Sequence, residues 1–112
     1  MAGQLEDRVA VITGAGEGIG RGIASAFVKE GAKVVIAEIN AELGNAAVSE
    51  LGENAIFVET DVSVKEDNER MSAAAVDQWG TLDILVNNAW GGGVISRVES
   101  KSLELMEHGL NV

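Results

Sequence analysis

Thr13-Gly14-Ala15-Gly16-Glu17-Gly18-Ile19-Gly20 lies directly behind a continuous apolar run and directly ahead of an amphipathic stretch. Glycine lets a main chain turn sharply and come close to a ligand. A helix starting at such a turn aims unpaired N–H groups at whatever occupies it, and the positive end of its dipole favours an anion. A pyrophosphate suits that cradle. Gly14, Gly16, Glu17, Gly18, Ile19 and Gly20 are therefore read as a dinucleotide-binding turn. The plainer alternative is a tight strand–helix connection with no ligand. An acid, Glu38, follows 24 residues beyond Gly14. A carboxylate at the end of the second strand accepts hydrogen bonds from ribose hydroxyls and repels a 2′-phosphate. Glu17 adds a second negative charge nearby, and no Lys or Arg stands at 17, 38 or 39 to offset them. NAD is the expected cofactor, with NADP the less favoured. Taken alone, Glu38 also fits a solvated strand end.

The elements that must position these residues alternate in period. Residues 8–13, with Val9, Ala10, Val11 and Ile12, form an apolar run expected of a strand buried on both faces. Residues 19–30 read as a helix whose stripe is Ile19, Ile23, Ala26 and Phe27, closed by Gly31. Residues 33–38 form the second strand. Asn40 caps a helix carrying Leu43, Ala47 and Leu51, which ends at Gly52. Residues 55–60 form the third strand. Ser63-Val64-Lys65-Glu66 reads as a capping box for a helix running to Trp79 and Gly80. Residues 82–87 form the fourth strand, residues 91–93 a glycine loop, and a last helix starts near Ser100 with Leu103, Met106 and Leu110 on one face. The order β-α-β-α-β-α-β-α predicts an α/β fold: a Rossmann-type doubly wound parallel sheet with strand order 3-2-1-4, incomplete after the fourth strand. Residues 1–112 are read as one partial NAD(P)-binding domain.

Composition narrows the partners. Apolar residues make up 46% of the chain, which marks it as globular rather than disordered. The net charge of −10, from 8 Lys+Arg against 18 Asp+Glu, disfavours nucleic acid and anionic membrane. The acids are spread along the chain and read as solvated faces. With no cysteine there are no disulfides and no thiolate metal sites. No His/Asp/Glu grouping suggests a metal. His108, the only histidine, reads as an ordinary helix residue. The first seven residues do not resemble a signal peptide, and no apolar run approaches a membrane span of about 20 residues. A reducing cytoplasm is the expected location.

Three motifs in order, Thr13-Gly14-x-x-x-Gly18-x-Gly20, Asp61-Val62 and Asn87-Asn88-Ala89, resemble those of the short-chain dehydrogenase/reductase family across nearly the whole chain. The resemblance implies a pyrophosphate turn at Gly14, Gly18, Ile19 and Gly20, and ribose selection by Glu38. It implies that Asp61 bonds the adenine amino group, with the Val62 backbone beside it. It also implies that Asn87, Asn88 and Ala89 brace the sheet and line the nicotinamide-side ribose. Both Asp61 and Asn87 stand beyond strand carboxyl ends, where ligands of such sheets bind. Each alone also suits a turn.

Two departures matter. Where the family usually has Gly after Asn-Asn-Ala, this chain has Trp90 and then three glycines. Trp90 either walls the substrate side or packs under the loop. The family's catalytic set is a Ser, a Tyr-x-x-x-Lys pair and a structural Asn. This chain contains no Tyr. Asn111 lies about 100° from Leu110 around the helix, a register that argues against its being that Asn. No catalytic residue is therefore assigned. The reading is the NAD-binding N-terminal portion of an oxidoreductase that passes a hydride between NAD and an alcohol or ketone. The resemblance implies a homo-oligomer for the full-length form. The chain alone is expected to be inactive and poorly stable, with an open edge on the fourth strand. The alternatives are a non-catalytic NAD-binding module, or a half that needs a second chain.

Overall fold

The computed structural model describes residues 3–88 and 94–97. Ala89, Trp90, the glycine loop at 91–93 and the helix expected from Ser100, with His108 and Asn111, lie outside the described residues.

The first strand, β1 (Val9–Thr13), is buried along its whole length and forms the centre of the sheet. Its side chains alternate between two cores. Val9 and Val11 pack with Val35, Ala37, Met71 and Leu85, and Ala10 and Ile12 pack with Ala24, Val34, Ile36, Ala47 and Val86. Both faces are covered, which is why the run is apolar without alternation. Helices α1 (Gly18–Lys29) and α2 (Ala41–Leu51) contribute to the second core, and α3 (Lys65–Trp79) to the first. Strands β2 (Lys33–Glu38), β3 (Ala55–Glu59) and β4 (Ile84–Asn87) complete a parallel array in the order β3-β2-β1-β4. Thr13 is level with Ala37 on β2, and Ile12 with Val86 on β4. The carboxyl ends of all four strands therefore open at one edge. The chain reverses direction across the sheet between β3 and β4, so the β1 end lies at the switch point, where such folds bind ligands.

Three details differ from the sequence expectations. A fifth strand, β5 (Val94–Arg97), pairs antiparallel with β4, so the β4 edge is not open. Its four residues follow the glycine run and lack a helix signal of their own. Pairing to an unfilled edge is a tertiary effect that local pattern does not report. The buried stripe of α1 is rotated: Gly20 and Ala24 are buried, Ile23, Phe27 and Val28 flank them, and Ile19 is 72% exposed while Ala26 faces outward. Close contact between Gly20 and the β1 end sets that rotation. Finally, the capping box at Ser63 does not form. Val64 holds the N-cap position without a side-chain bond, and the Ser63 hydroxyl donates to Asp61 instead. Asn40 does cap α2, its Oδ1 accepting the Leu43 N–H at 3.0 Å.

Candidate functional site

The glycine turn leaves β1 with Gly14 at φ +64°, and its N–H donates to the Ala37 carbonyl at 2.8 Å. Gly18 enters α1 at φ +64°, and a Cβ there would project into open space. Both conformations favour glycine. Glu17 stands exposed at the N-cap of α1 and makes no side-chain cap bond. At Gly20 a Cβ would lie 2.2 Å from the Gly14 carbonyl oxygen and 2.7 Å from Asn88 Nδ2. Only glycine allows the helix start to approach the strand end this closely. At Gly16 a Cβ would lie 2.7 Å from Glu38 Oε1 and 2.8 Å from Leu43 Cβ.

Glu38 ends β2 and is only 7% exposed. Its Oε1 accepts the Gly16 N–H at 2.9 Å and its Oε2 accepts the Asn40 N–H at 3.1 Å. The carboxylate thus ties the glycine turn to the second strand. A carboxylate offers about four acceptor positions, so capacity for ligand hydroxyls remains. The same charge raises the cost of bringing a phosphate alongside.

Asp61 and Val62 follow β3. The Ser63 N–H donates to Asp61 Oδ1 at 2.9 Å, and the Ser63 hydroxyl donates to the same oxygen at 2.6 Å. The Ser63 hydroxyl, then its backbone N–H, stabilise the ionised form and hold the Asp61 carboxyl below its ordinary 3.8, against slight opposition from desolvation. Because the folded value is depressed, the stabilisation is present above the unfolded value and is lost as pH falls through the lower folded one. Asp61 thus presents a negative charge throughout the neutral range. Ser63→Ala is expected to raise the Asp61 carboxyl toward 3.8, read by its side-chain carbon shift in an NMR titration; an unmoved midpoint would contradict the assignment.

Together Gly14, Ala37, Glu38, Ile39, Thr60, Asp61 and Val62 line a cleft of about 230 Å³ at the carboxyl ends of β1, β2 and β3. Asn87, the last residue of β4, and Asn88, just after it, lie on the opposite side of the β1 end. They join the site through Thr13, whose hydroxyl accepts the Asn88 N–H at 2.9 Å and faces Asn87 Oδ1 at 3.3 Å and the Val86 carbonyl at 3.4 Å. Exposed Ile19 sits between two of the turn's glycines. Of the residues expected from sequence, Gly14, Glu38, Asp61 and Val62 share the cleft, and Gly16, Gly20 and Asn88 abut its supports. Ala89 lies outside the described residues.

Sequence reasoning missed three supports. Thr13 is the polar end of an otherwise apolar strand, which was a usable signal. Asn68 is buried on α3, and its Nδ2 donates to the Val62 and Val64 carbonyls at 2.8 and 3.3 Å. Asp67 accepts the Asp61 N–H at 2.9 Å. The last two sit on a helix face that reads as solvated.

Residues 8–109 match the short chain dehydrogenase family. The chain belongs to this family. A sorbitol dehydrogenase of Cereibacter sphaeroides is 45% identical over 86 residues, which are 77% of this chain and 34% of that protein. Among solved structures, a 3-ketoacyl-(acyl-carrier-protein) reductase from Brucella melitensis complexed with NADH superposes with a TM-score of 0.72 at 41% identity, covering 73% of this chain and 34% of that one. A short chain dehydrogenase/reductase from Burkholderia phymatum in complex with NAD gives a TM-score of 0.70 at 34% identity, covering 73% and 30%. This short-chain dehydrogenase sequence spans about a third of the length of these relatives. Among its described residues, no helix is long and apolar enough to cross a membrane, and no group of three or more His, Cys, Asp or Glu could hold a metal ion.

Proposed function

We propose that the chain binds NAD as the dinucleotide-binding portion of an oxidoreductase acting on an alcohol or ketone. The observation that carries this reading is the buried Glu38 carboxylate on the cleft wall, fixed to the Gly16 amide beside a glycine turn that only glycine can form. The residues fit the cofactor. The left-handed Gly14 and Gly18 and the helix start without a side-chain cap make a cradle for a diphosphate. Glu38 would hold the adjoining ribose, and its charge favours NAD over the 2′-phosphorylated form. Asp61 and Val62 would hold the adenine. Asn87 and Asn88, braced by Thr13, would orient the nicotinamide half. The relatives described with NADH and NAD support the same cofactor class.

When bound, the nicotinamide gives or takes the hydride. The chain's own residues bind and orient it. General acid/base chemistry needs a group able to exchange a proton with the substrate oxygen. With no Tyr, this chain lacks the donor its family resemblance implies, so the proton-transfer step would fall to residues outside these 112. Calorimetric titration with NADH and NADPH tests the binding claim. Saturable NADH binding, at least about tenfold tighter than NADPH, is expected from one close charge–phosphate repulsion. Equal affinities would remove Glu38 as the selecting group, and no binding of either would end the reading. The same chain is expected to show no turnover of secondary alcohols with NAD.

A further inference from the structure

We propose that Asp67, on α3, is a positioning residue for the adenine side of the cleft, acting through the main chain of Asp61. The inference rests on the dinucleotide reading above. Asp67 does not line the cleft; its carboxylate works from behind. Oδ2 accepts the Asp61 N–H at 2.9 Å, reaching back six residues. Oδ1 accepts from Arg70 Nη2 at 2.8 Å, and the same Nη2 donates to the Glu59 carbonyl at 2.9 Å. One carboxylate and one guanidinium therefore join the end of β3, the turn that follows it and the first turns of α3.

The segment from Asp61 to Val64 leaves little else to chance. The Val64 N–H donates to the Asp61 carbonyl at 2.9 Å, closing the turn. The Ser63 N–H goes to Asp61 Oδ1, and Asn68 takes up the Val62 carbonyl. Asp67 accounts for the Asp61 N–H. Among the hydrogen bonds of the described residues, the Val62 N–H is then the one main-chain donor of these four residues left unused, and Asp61 Oδ2 the one carboxylate oxygen without a partner. An unused acceptor beside an unused donor matches one edge of adenine, which offers an amino donor next to a ring-nitrogen acceptor. The spacing of that acceptor–donor pair is set by the torsions of residues 61 and 62. The bond that fixes the torsion entering Asp61 comes from Asp67. Arg70 holds Asp67 in the rotamer that makes it.

A structural role for Asp67 and a positioning role predict different outcomes when the two halves of the cofactor are tested separately. The experiment compares the full chain with Asp67→Ala and Asp67→Asn, titrating each with ADP-ribose and with reduced nicotinamide mononucleotide, alongside thermal unfolding. Asp67→Ala is expected to weaken ADP-ribose by about 5–30-fold, the effect of one charge-assisted hydrogen bond, and to leave the mononucleotide unchanged. Asp67→Asn keeps an acceptor oxygen and is expected to restore ADP-ribose to within about threefold of the parent, as a neutral bond replacing a charged one should. If alanine prevents folding, Arg70→Gln, at an exposed position, gives the same selective loss at smaller size. Unchanged ADP-ribose affinity in Asp67→Ala or Arg70→Gln, or equal weakening of both ligands, would overturn the proposal. Failure of the parent chain to bind ADP-ribose would instead overturn the dinucleotide reading on which it stands.

Discussion

Replacing Glu38 with alanine will destabilise the chain by about 2–4 kcal/mol, because two main-chain donors lose a charged acceptor and one of them is buried. Those donors are the Gly16 and Asn40 N–H groups, at 2.9 and 3.1 Å. Gly16 packs directly against the Glu38 side chain, so the substitution also leaves a gap beneath the turn. The same substitution is expected to lower NADH affinity by more than about tenfold and narrow the NADH-over-NADPH preference, since in the proposed binding mode one residue both shapes the turn and carries the selecting charge. Glu38→Gln should fall between, as one end of its amide meets a donor with a donor. Urea unfolding and paired cofactor titrations measure both effects. A stable alanine variant with unaltered preference would show that Glu38 is a solvated strand end after all.

The second large effect is at Gly20. A Cβ would lie 2.2 Å from the Gly14 carbonyl oxygen, and a backbone oxygen cannot swing aside as a side chain can. Gly20→Ala must push α1 away from the β1 end, at a cost of about 3 kcal/mol from overpacking. It will also displace Asn88, whose Nδ2 would lie 2.7 Å from the new Cβ, and so disturb both halves of the site at once. NADH binding is expected to be lost. Gly22, two residues along the same helix, is the internal control. A Cβ there meets nothing within 4 Å, so Gly22→Ala should stabilise α1 by about 0.5–1 kcal/mol. Equal behaviour of the two variants in thermal unfolding would contradict the close-packing account.

The sheet was legible because its strands are buried on both faces, which leaves uninterrupted apolar runs between glycine and polar breaks. The order 3-2-1-4 came from the alternation of strands and helices together with the family motifs. What sequence did not disclose were effects set by contacts distant along the chain. The rotation of α1 depends on Gly20 meeting Gly14, not on the amphipathic stripe alone. β5 depends on an available edge beside β4. The Ser63 hydroxyl had two nearby acceptor or donor choices, and the Asp61 carboxylate won over the helix amides. Glu38, Asp61 and Val62 could be chosen because they end or closely follow strands. Asp67 and Asn68 could not, because their neighbours on α3 are charged and their inward reach is visible only once the turn at 61–64 is built.

In the proposed binding mode the main chain of the glycine turn grips a diphosphate while Glu38 and Asp61 hold the sugar and base beside it. Amide chemical-shift mapping during NADH addition tests it most directly. The largest changes should fall on Gly14, Gly16, Gly18, Ile19, Gly20, Asp61 and Val62, with the distal half of α3, from Ser72 onward, nearly still. Saturable binding whose shifts spare the glycine turn and cluster elsewhere would contradict the account.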